Sequence, residues 1–254
     1  MDRCTLRYTK MSQTKVDLED GWTSSTDYKD LFQANEDILN VIDLLDLNEN
    51  YTLLDNGCGN GEFSLHAAQR YPGLQVYGFD GLDNAISEAN KRAIKLGHKE
   101  LHYSVAWADS LPLGNDTTDR ALFRFVLHHI EDPLLPFAEM SRCMKASSKL
   151  VIQTPFNFWH DEVTDFLREM FLIMDDSHSR HYHTLQVISN NLEEVGFSIE
   201  SSSSRSFPFP FIRESMKNFI VNQGYEDLLN LTPIEEGLWS IDLYELQVVA
   251  IKSE

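Results

Sequence analysis

The stretch LLDNGCGNG, from Leu53 to Gly61, decides how the rest of the chain is interpreted. It begins as a short apolar run, typical of a buried strand, and continues into three glycines that precede helix-forming residues. Glycines let a backbone approach a ligand closely, and the first amides of the following helix are donors at a positive dipole end. A strand, a tight turn and a helix in this order predict a ligand-binding loop.

Two acidic residues indicate which ligand this loop would accept. Asp55 stands two residues before Gly57, where a carboxylate would repel a pyrophosphate but suit an ammonium group. Asp80 follows a second predicted strand, nineteen residues after Gly61, and an acid at that place accepts hydrogen bonds from ribose hydroxyls. Together they predict a nucleoside ligand that carries a cation rather than phosphates, a description that S-adenosylmethionine (SAM) fits.

Strand-like and helix-like segments alternate from residue 51 to residue 155. This alternation predicts an α/β protein with a mostly parallel sheet and helices on both faces. Residues 1–50 are predicted to form an N-terminal helical cap of the same domain. We expect residues 51–254 to form the main domain, with lid insertions at about 156–184 and 205–240, the latter with two helix-like segments.

Five motifs resemble, in order and spacing, those of class I SAM-dependent methyltransferases. The similarity is greatest to the methyltransferase type 11/25 group, which includes ubiquinone/menaquinone biosynthesis and many small-molecule methyltransferases. The resemblance implies a Rossmann-like fold with a seven-stranded sheet and a helical lid. It implies SAM as the cofactor and methyl transfer to an O, N or C nucleophile of a small-molecule acceptor. The motifs, between about residues 50 and 155, are DNGCGNG, GFD, LPL, LHHIEDP and RCMK.

The resemblance also implies roles for individual residues of the cofactor site. Asp55 would bind the methionine amino group and Asp80 the ribose hydroxyls. Trp107 stands where the family usually has an acid, so the adenine contact is open between Asp109 and a stacked Trp107 ring with the Ala108 backbone. The other residues predicted to bind the cofactor are Gly57, Cys58, Gly59, Gly61, Gly81, Leu82, Arg124, Phe125 and Tyr28.

Four histidines are candidates for a general base near the acceptor: His128, His129, His181 and His183. An imidazole titrates near neutral pH, which suits this role. The alternatives are a structural pair at 128–129 and solvated histidines in the lid, because an activated sulfonium needs little beyond alignment. A metal site at residues 181–183 with an aspartate has loose spacing, and we predict no metal.

A second departure from the family pattern precedes the fifth predicted strand. The family usually has a Pro-Gly-Gly turn there, whereas this chain has Ala146-Ser147-Ser148. Serines can form such a turn, at some cost in backbone strain.

The charge balance excludes several partners. The chain has 21 Lys and Arg against 40 Asp and Glu, which gives a net charge of −19. Such a protein is poorly suited to phosphate backbones or anionic lipid, so we expect neither nucleic acid nor membrane as a partner, and no polyanionic acceptor. The 3 scattered cysteines favour a reducing compartment, and the first residues lack the apolar segment of a secretory signal. We therefore expect a cytoplasmic protein.

Other functions compete with small-molecule methylation. A basic protein substrate suits the acidic chain, and a catalytically silent SAM-binding scaffold would keep the same cofactor motifs. Asp55 inside the loop argues against a nicotinamide-dependent oxidoreductase, which would need to bind a pyrophosphate. A homodimer is one assembly that the sequence leaves open.

Overall fold

The computed structural model describes residues 34–156, 181, 183–227 and 229–254, which alternate between helices and strands as the sequence predicts. A short 3₁₀ turn, Leu127–His129, follows the fourth strand. The helices are α1 (Ala34–Leu45), α2 (Glu62–Arg70), α3 (Asp83–Leu96), α4 (Leu134–Cys143), α5 (Leu185–Glu194) and α6 (Glu214–Gln223). The strands are β1 (Thr52–Asn56), β2 (Gln75–Asp80), β3 (Leu101–Val105), β4 (Thr118–Arg124), β5 (Met144–Phe156), β6 (Phe197–Arg213), β7 (Thr232–Glu235) and β8 (Leu238–Lys252).

The strands form a sheet in the order β3-β2-β1-β4-β5-β8-β6, and the short β7 pairs antiparallel with β8. The pairs β1–β2, β2–β3, β1–β4 and β4–β5 are all parallel. The predicted fold class is therefore confirmed. After β3 the chain crosses to the other side of β1, so the strand order reverses between β1 and β4. Open α/β sheets bind ligands at such a switch point, beyond the carboxyl ends of the strands.

Both faces of the central strands are buried, as expected for a parallel sheet covered by helices. On one face Leu53 and Leu122 belong to a cluster that includes residues of α1, α2 and α3. On the other face Leu54 and Phe123 pack with residues of α4 and α5. Because apolar residues fill both faces, a polar side chain within these strands needs a specific partner.

The chain divides into two compact units. The larger comprises Ala34–Phe156, His183–Ser204 and Glu245–Glu254. The described part of the smaller comprises residue 181 and residues 205–227 and 229–244. Among its described residues, the predicted 205–240 lid contains one helix, α6, where two were expected, and the pair β7–β8. The assignment of cap and lid insertions stays a prediction. No helix within the described ranges is long and apolar enough to cross a membrane.

The serine segment before the fifth predicted strand forms a bulge inside a longer strand. Thr118 pairs with Met144, but Arg120 pairs with Lys149, so β5 has extra residues at this point. Ser147 adopts a φ of 59°, in the left-handed region that disfavours side chains with a Cβ. The strain expected from the missing glycines is therefore present at one residue.

A Ser147→Gly substitution should stabilise the protein. Glycine adopts the left-handed conformation without steric cost, which removes the strain. Its greater conformational entropy in the unfolded chain offsets part of this, so the free energy of unfolding should rise by about 0.5 kcal/mol. Ala146→Gly is the matched control, since Ala146 is equally exposed and lacks a positive φ, and it should destabilise. Urea unfolding measures both effects. An equal loss of stability in the two variants would show that the backbone at Ser147 is not strained.

Candidate ligand-binding site

Three glycines shape the loop between β1 and α2. Gly57, Gly59 and Gly61 have φ angles of 82°, 52° and 76°, which side chains with a Cβ rarely adopt. A Cβ on Gly57 would also lie 2.0 Å from Cγ2 of Val126. At Gly59, no atom of the described residues beyond its chain neighbours lies within 4 Å of that position. The loop therefore faces open space at residue 59, which a side chain there would enter and which we call the glycine cradle.

Asp80, at the end of β2, holds this loop in place. Its Oδ2 accepts a hydrogen bond of 2.9 Å from the Gly59 amide, and its Oδ1 accepts one of 2.9 Å from the Leu82 amide. The Gly57 amide donates to the carbonyl of Phe79 at 2.6 Å. One carboxylate thus joins the glycine loop to the start of α3, which places both predicted segments of the site side by side.

Asp55, the penultimate residue of β1, is a buried acid with 2% of its surface exposed. The Ser64 hydroxyl of α2 donates a hydrogen bond to its Oδ2. Burial raises the pKa of Asp55 to about 6, and the charge of Asp80 adds to this, while the Ser64 hydrogen bond and the charge of Arg124 oppose it. A desolvated carboxylate that is still largely ionised at neutral pH strongly favours a cation beside it.

Arg124 ends β4, on the other side of the switch point from Asp80. Its Nε–H donates to Oε1 of Gln153 at 2.6 Å, and Nε2 of Gln153 donates to both carboxylate oxygens of Glu245 at 2.9 Å. Burial lowers the pKa of Arg124 to about 10, against the opposing charges of Glu245 and Asp55. The guanidinium therefore remains cationic at neutral pH. Phe125, with φ 53°, places its ring centroid 4.7 Å from Cζ of Arg124.

The segment after β3 contributes an aromatic ring beside the turn that follows β2. Trp107 is 71% exposed, and a Cβ on Gly81 would lie 2.9 Å from its ring, so the ring packs against the Gly81 backbone. The Ala108 carbonyl accepts a hydrogen bond of 3.2 Å from Nδ2 of the buried Asn56. Asp109 is exposed. The structure thus brings Trp107 to the Asp80–Leu82 turn, with the adjoining Ala108 tied to the end of β1.

Cys58 lies in the loop as a buried thiol rather than a reactive one. Its side chain is 8% exposed and lies near Gly78, where a Cβ would stand 3.0 Å from the Cys58 sulfur. Burial raises the pKa of the thiol, and the charges of Asp55 and Asp80 raise it further. A thiol that resists ionisation is a poor nucleophile.

Two of the four candidate histidines lie in the turn after β4, and a third, His183, is hydrogen-bonded to its end. The rings of His128, which is buried, and His129, which is exposed, have centroids 3.9 Å apart. Nε2 of His183 donates to the carbonyl of Ile130 at 2.7 Å. His181 belongs to the smaller unit. A base role for any of them stays a prediction. Within the described residues, no cluster of three or more His, Cys, Asp or Glu could hold a metal ion.

Several residues of this region were not among the sequence predictions. Ser64, Asn56, Gln153 and Glu245 each contact a predicted site residue or its neighbour. The last three share one signal, a polar residue inside an otherwise apolar strand, which predicts a buried partner. Of the predicted site residues, Tyr28 lies outside the described residues.

Comparison with known proteins places the chain among methyltransferase domains. Residues 47–204 match a family described as "Methyltransferase domain". The chain is 24% identical over 155 residues to the uncharacterized methyltransferase YcgJ of Bacillus subtilis, and this alignment covers 60% of each protein. It is 29% identical over 99 residues to the ubiquinone/menaquinone biosynthesis C-methyltransferase of Desulfotalea psychrophila, and that alignment covers 39% of each protein.

The fold agrees with a solved structure of the same Bacillus subtilis protein. The TM-score is 0.73 at 20% identity, and the alignment covers 85% of this chain and 98% of that one. The matched stretches span 60% and 39% of the length of the two curated relatives above. The fold is therefore shared, while the reaction of the whole protein needs its own argument.

An Asp55→Asn substitution should stabilise the unliganded protein, most clearly at neutral and higher pH. The folded-state pKa of about 6 lies above the ordinary value of 3.8, so ionisation costs the folded state free energy as pH rises between these values. The full cost, about 3 kcal/mol, is present above pH 6.

Urea unfolding at about pH 5 and about pH 8 tests this expectation. The stability gained by the Asp55→Asn variant over wild type should be roughly 1.5 kcal/mol larger at the higher pH. Ser64→Ala is a control that keeps the carboxylate but removes its hydrogen bond, and it should destabilise at the higher pH. A pH-independent effect of Asp55→Asn would show that the carboxylate is not desolvated.

Proposed function

The chain belongs to the methyltransferase-domain family, and from this premise we propose that it binds SAM and methylates a small-molecule acceptor. The acceptor atom would be an O, N or C nucleophile, and the product S-adenosylhomocysteine. The observation that carries the proposal is the pairing of a buried acid, Asp55, with the open glycine cradle at residue 59 and with Asp80, at the sheet's switch point.

The chemistry of these groups fits SAM. Asp55 would offer its buried carboxylate to the ammonium of the methionine moiety, which compensates the cost of ionising it. Asp80 already accepts two amide hydrogen bonds, but a carboxylate has about four lone-pair sites, so its remaining sites can accept ribose hydroxyls. The backbone of residues 57–59 would line the methionine portion. A pyrophosphate would instead meet the negative charge of Asp55.

Methyl transfer from this site depends mainly on alignment. Bound SAM supplies a methyl group on an activated sulfonium, and holding the acceptor in line with it provides much of the acceleration. We propose that the turn at 127–130 lies on the acceptor side, with exposed His129 as the most accessible base of the four histidines. His183, which donates to the Ile130 carbonyl, would support that turn.

Two alternatives remain distinguishable by turnover. A silent scaffold would bind SAM without releasing S-adenosylhomocysteine, and a protein methyltransferase would transfer label to proteins rather than to small molecules. The test incubates the protein with methyl-labelled SAM and either a metabolite fraction or a protein fraction, and measures where the label goes. Label in small molecules, in proteins or in neither distinguishes the small-molecule methyltransferase, the protein methyltransferase and the silent scaffold. The compartment and the oligomeric state stay predictions.

Trp107 is our proposed adenine contact, in preference to Asp109. Its exposed ring lies against Gly81, beside Leu82, at the turn that follows the proposed ribose-binding acid. Stacking on such a ring is worth about 0.5–1.5 kcal/mol. We therefore expect Trp107→Ala to weaken SAM binding by about two- to thirteenfold. Trp107→Phe should retain most of the affinity. Asp109→Asn, the matched control on the same segment, should change it less than twofold. Calorimetry measures all three, and the reverse order would assign adenine to Asp109.

The glycine cradle gives the direct test of the proposed function. Gly59 and Gly97 both have positive φ, and among the described residues both have open space where a Cβ would stand, but Gly97 caps the far end of α3. Changing either to Ala should cost a similar ~1 kcal/mol in stability. Gly59→Ala should weaken SAM binding at least tenfold, because its Cβ enters the cradle, whereas Gly97→Ala should leave it unchanged.

Calorimetry of the wild type with SAM and with NAD accompanies this comparison. We expect binding heat in the titration with SAM and none in the titration with NAD. Binding of NAD without SAM would overturn the proposed function, and equal losses of SAM affinity in the two glycine variants would overturn the placement of the cofactor.

A further inference from the structure

A row of polar side chains crosses one face of the sheet at the level of the proposed cofactor site. Asp55 on β1 lies opposite Leu122 of β4, and Arg124 lies two residues further along the same strand. Arg124 in turn lies opposite Gln153 of β5. Residues two apart on a strand share a face, so Asp55, Arg124 and Gln153 point to the same side of the sheet. Glu245 continues the row on β8, the next neighbour of β5.

This row lies on a face that is otherwise apolar. Two residues before the row on β1, β4 and β5 stand Leu53, Leu122 and Val151, which belong with Val249 of β8 to one buried hydrophobic cluster. Buried polar groups at such positions destabilise a fold unless they are hydrogen-bonded. The contacts described above satisfy this condition and extend further, from Glu245 to Gln247 at 3.5 Å and from Gln247 to Asn40 of α1 at 3.4 Å. The row is therefore a connected network rather than a set of isolated polar residues.

The charges along the row alternate from acid to base to acid. Asp80 on β2 and the Ser64 hydroxyl on α2 also act on the Asp55 carboxylate. The charge of Asp55 in turn raises the pKa of the neighbouring Cys58 thiol and of the Tyr103 phenol, both also raised by burial. Asp80, like burial, disfavours the ionised carboxylate. Arg124 is the charged group that favours it. Two other acids act on Arg124 itself, Glu245 on β8 and Glu62 on α2.

We propose that Arg124 is a positioning residue of the cofactor site, held by Gln153 and Glu245 so that its charge keeps the Asp55 carboxylate ionised for a cationic ligand group. The inference rests on the proposed function for the identity of that ligand group, the SAM ammonium. It adds that the position of this charge depends on Gln153 of β5 and Glu245 of β8, two residues that lie outside the glycine loop and outside β1, β2 and β4. Glu245 is 1% exposed and acts through Gln153 and Arg124.

Carboxyl-carbon NMR of the unliganded protein tests the proposal without the cofactor. The protein is labelled with ¹³C-aspartate, and the Asp55 signal is identified by its loss in Asp55→Asn. The informative variant combines Arg124→Gln with Glu245→Gln, because it leaves no buried Glu245 without its counter-charge. The pKa of Asp55 should rise in this variant by about one pH unit or more, since an opposite charge has been removed.

Two single variants separate charge from structure. Arg124→Lys keeps the positive charge but loses the planar hydrogen-bonding group, and it should keep the Asp55 pKa close to wild type. Glu245→Gln keeps an acceptor for Gln153 but removes the negative charge that opposes Arg124, so it should lower the pKa of Asp55 or leave it unchanged. An unchanged pKa in the double variant would overturn the proposal, as would an equal rise in Arg124→Lys or any rise in Glu245→Gln.

Calorimetry with SAM links this network to the ligand. The double variant should bind SAM about fivefold more weakly than the wild type at pH 6. Near pH 9, where Asp55 is ionised in both proteins, its affinity for SAM should approach that of the wild type. Equal pH profiles for the two proteins would overturn the proposal. If the wild type binds no SAM at any pH, the proposed function fails, while the NMR titration still decides the role of Arg124.

Discussion

The structure of this site depends on one physical constraint, the cost of keeping a carboxylate charged at the buried end of β1. Asp55 is surrounded by protein and has little water to stabilise its charge. The nearby hydroxyl of Ser64 and the guanidinium of Arg124 offset part of that cost. The remaining part makes the unliganded site unfavourable for an anion and favourable for a cation. A site that costs stability in this way is typical of function rather than of folding.

The topology of the sheet explains why these groups can meet. Asp80 and Arg124 are the last residues of β2 and β4, and Asp55 is the last but one of β1. These strands are neighbours in the order β2-β1-β4 although the residues are far apart in the chain. Parallel strands bring their carboxyl ends to one edge of the sheet, so residues from three separate short segments of the chain come together in one site. The loop between β1 and α2 then needs glycine only where the backbone turns or where Val126 approaches it. The helices and the apolar faces supply the rigidity that keeps this arrangement in place.

Much of this arrangement is predictable from the sequence because it is encoded locally. The glycine loop, the two acids and each strand or helix between residues 51 and 155 lie within a short stretch, and the structure has them where the sequence predicts them. The partners of Arg124 could not be predicted in the same way. Gln153 and Glu245 are 92 residues apart, and their contact depends on β8 lying next to β5, which no local pattern specifies. The sequence predicts strain in the serine segment around Ser147, but not that this segment is a bulge within one continuous strand, because the register with β4 decides that. The sequence predicts two helical segments in residues 205–240, whereas the described residues there contain one, because pairing between β7 and β8 favours strands.

Asp80 holds the glycine loop through the protein's own hydrogen bonds, from the Gly59 and Leu82 amides. A loop that is already ordered loses little conformational freedom on binding, so exchanging one nucleoside for another requires no local folding. The groups that Asp55 and Asp80 would recognise, an amine and a ribose, are the same before and after a methyl group has left. A site built on those contacts has little means of preferring fresh cofactor over spent cofactor. Sustained turnover would then depend on the ratio of the two in the surrounding solution, and on whatever reaction removes the spent form.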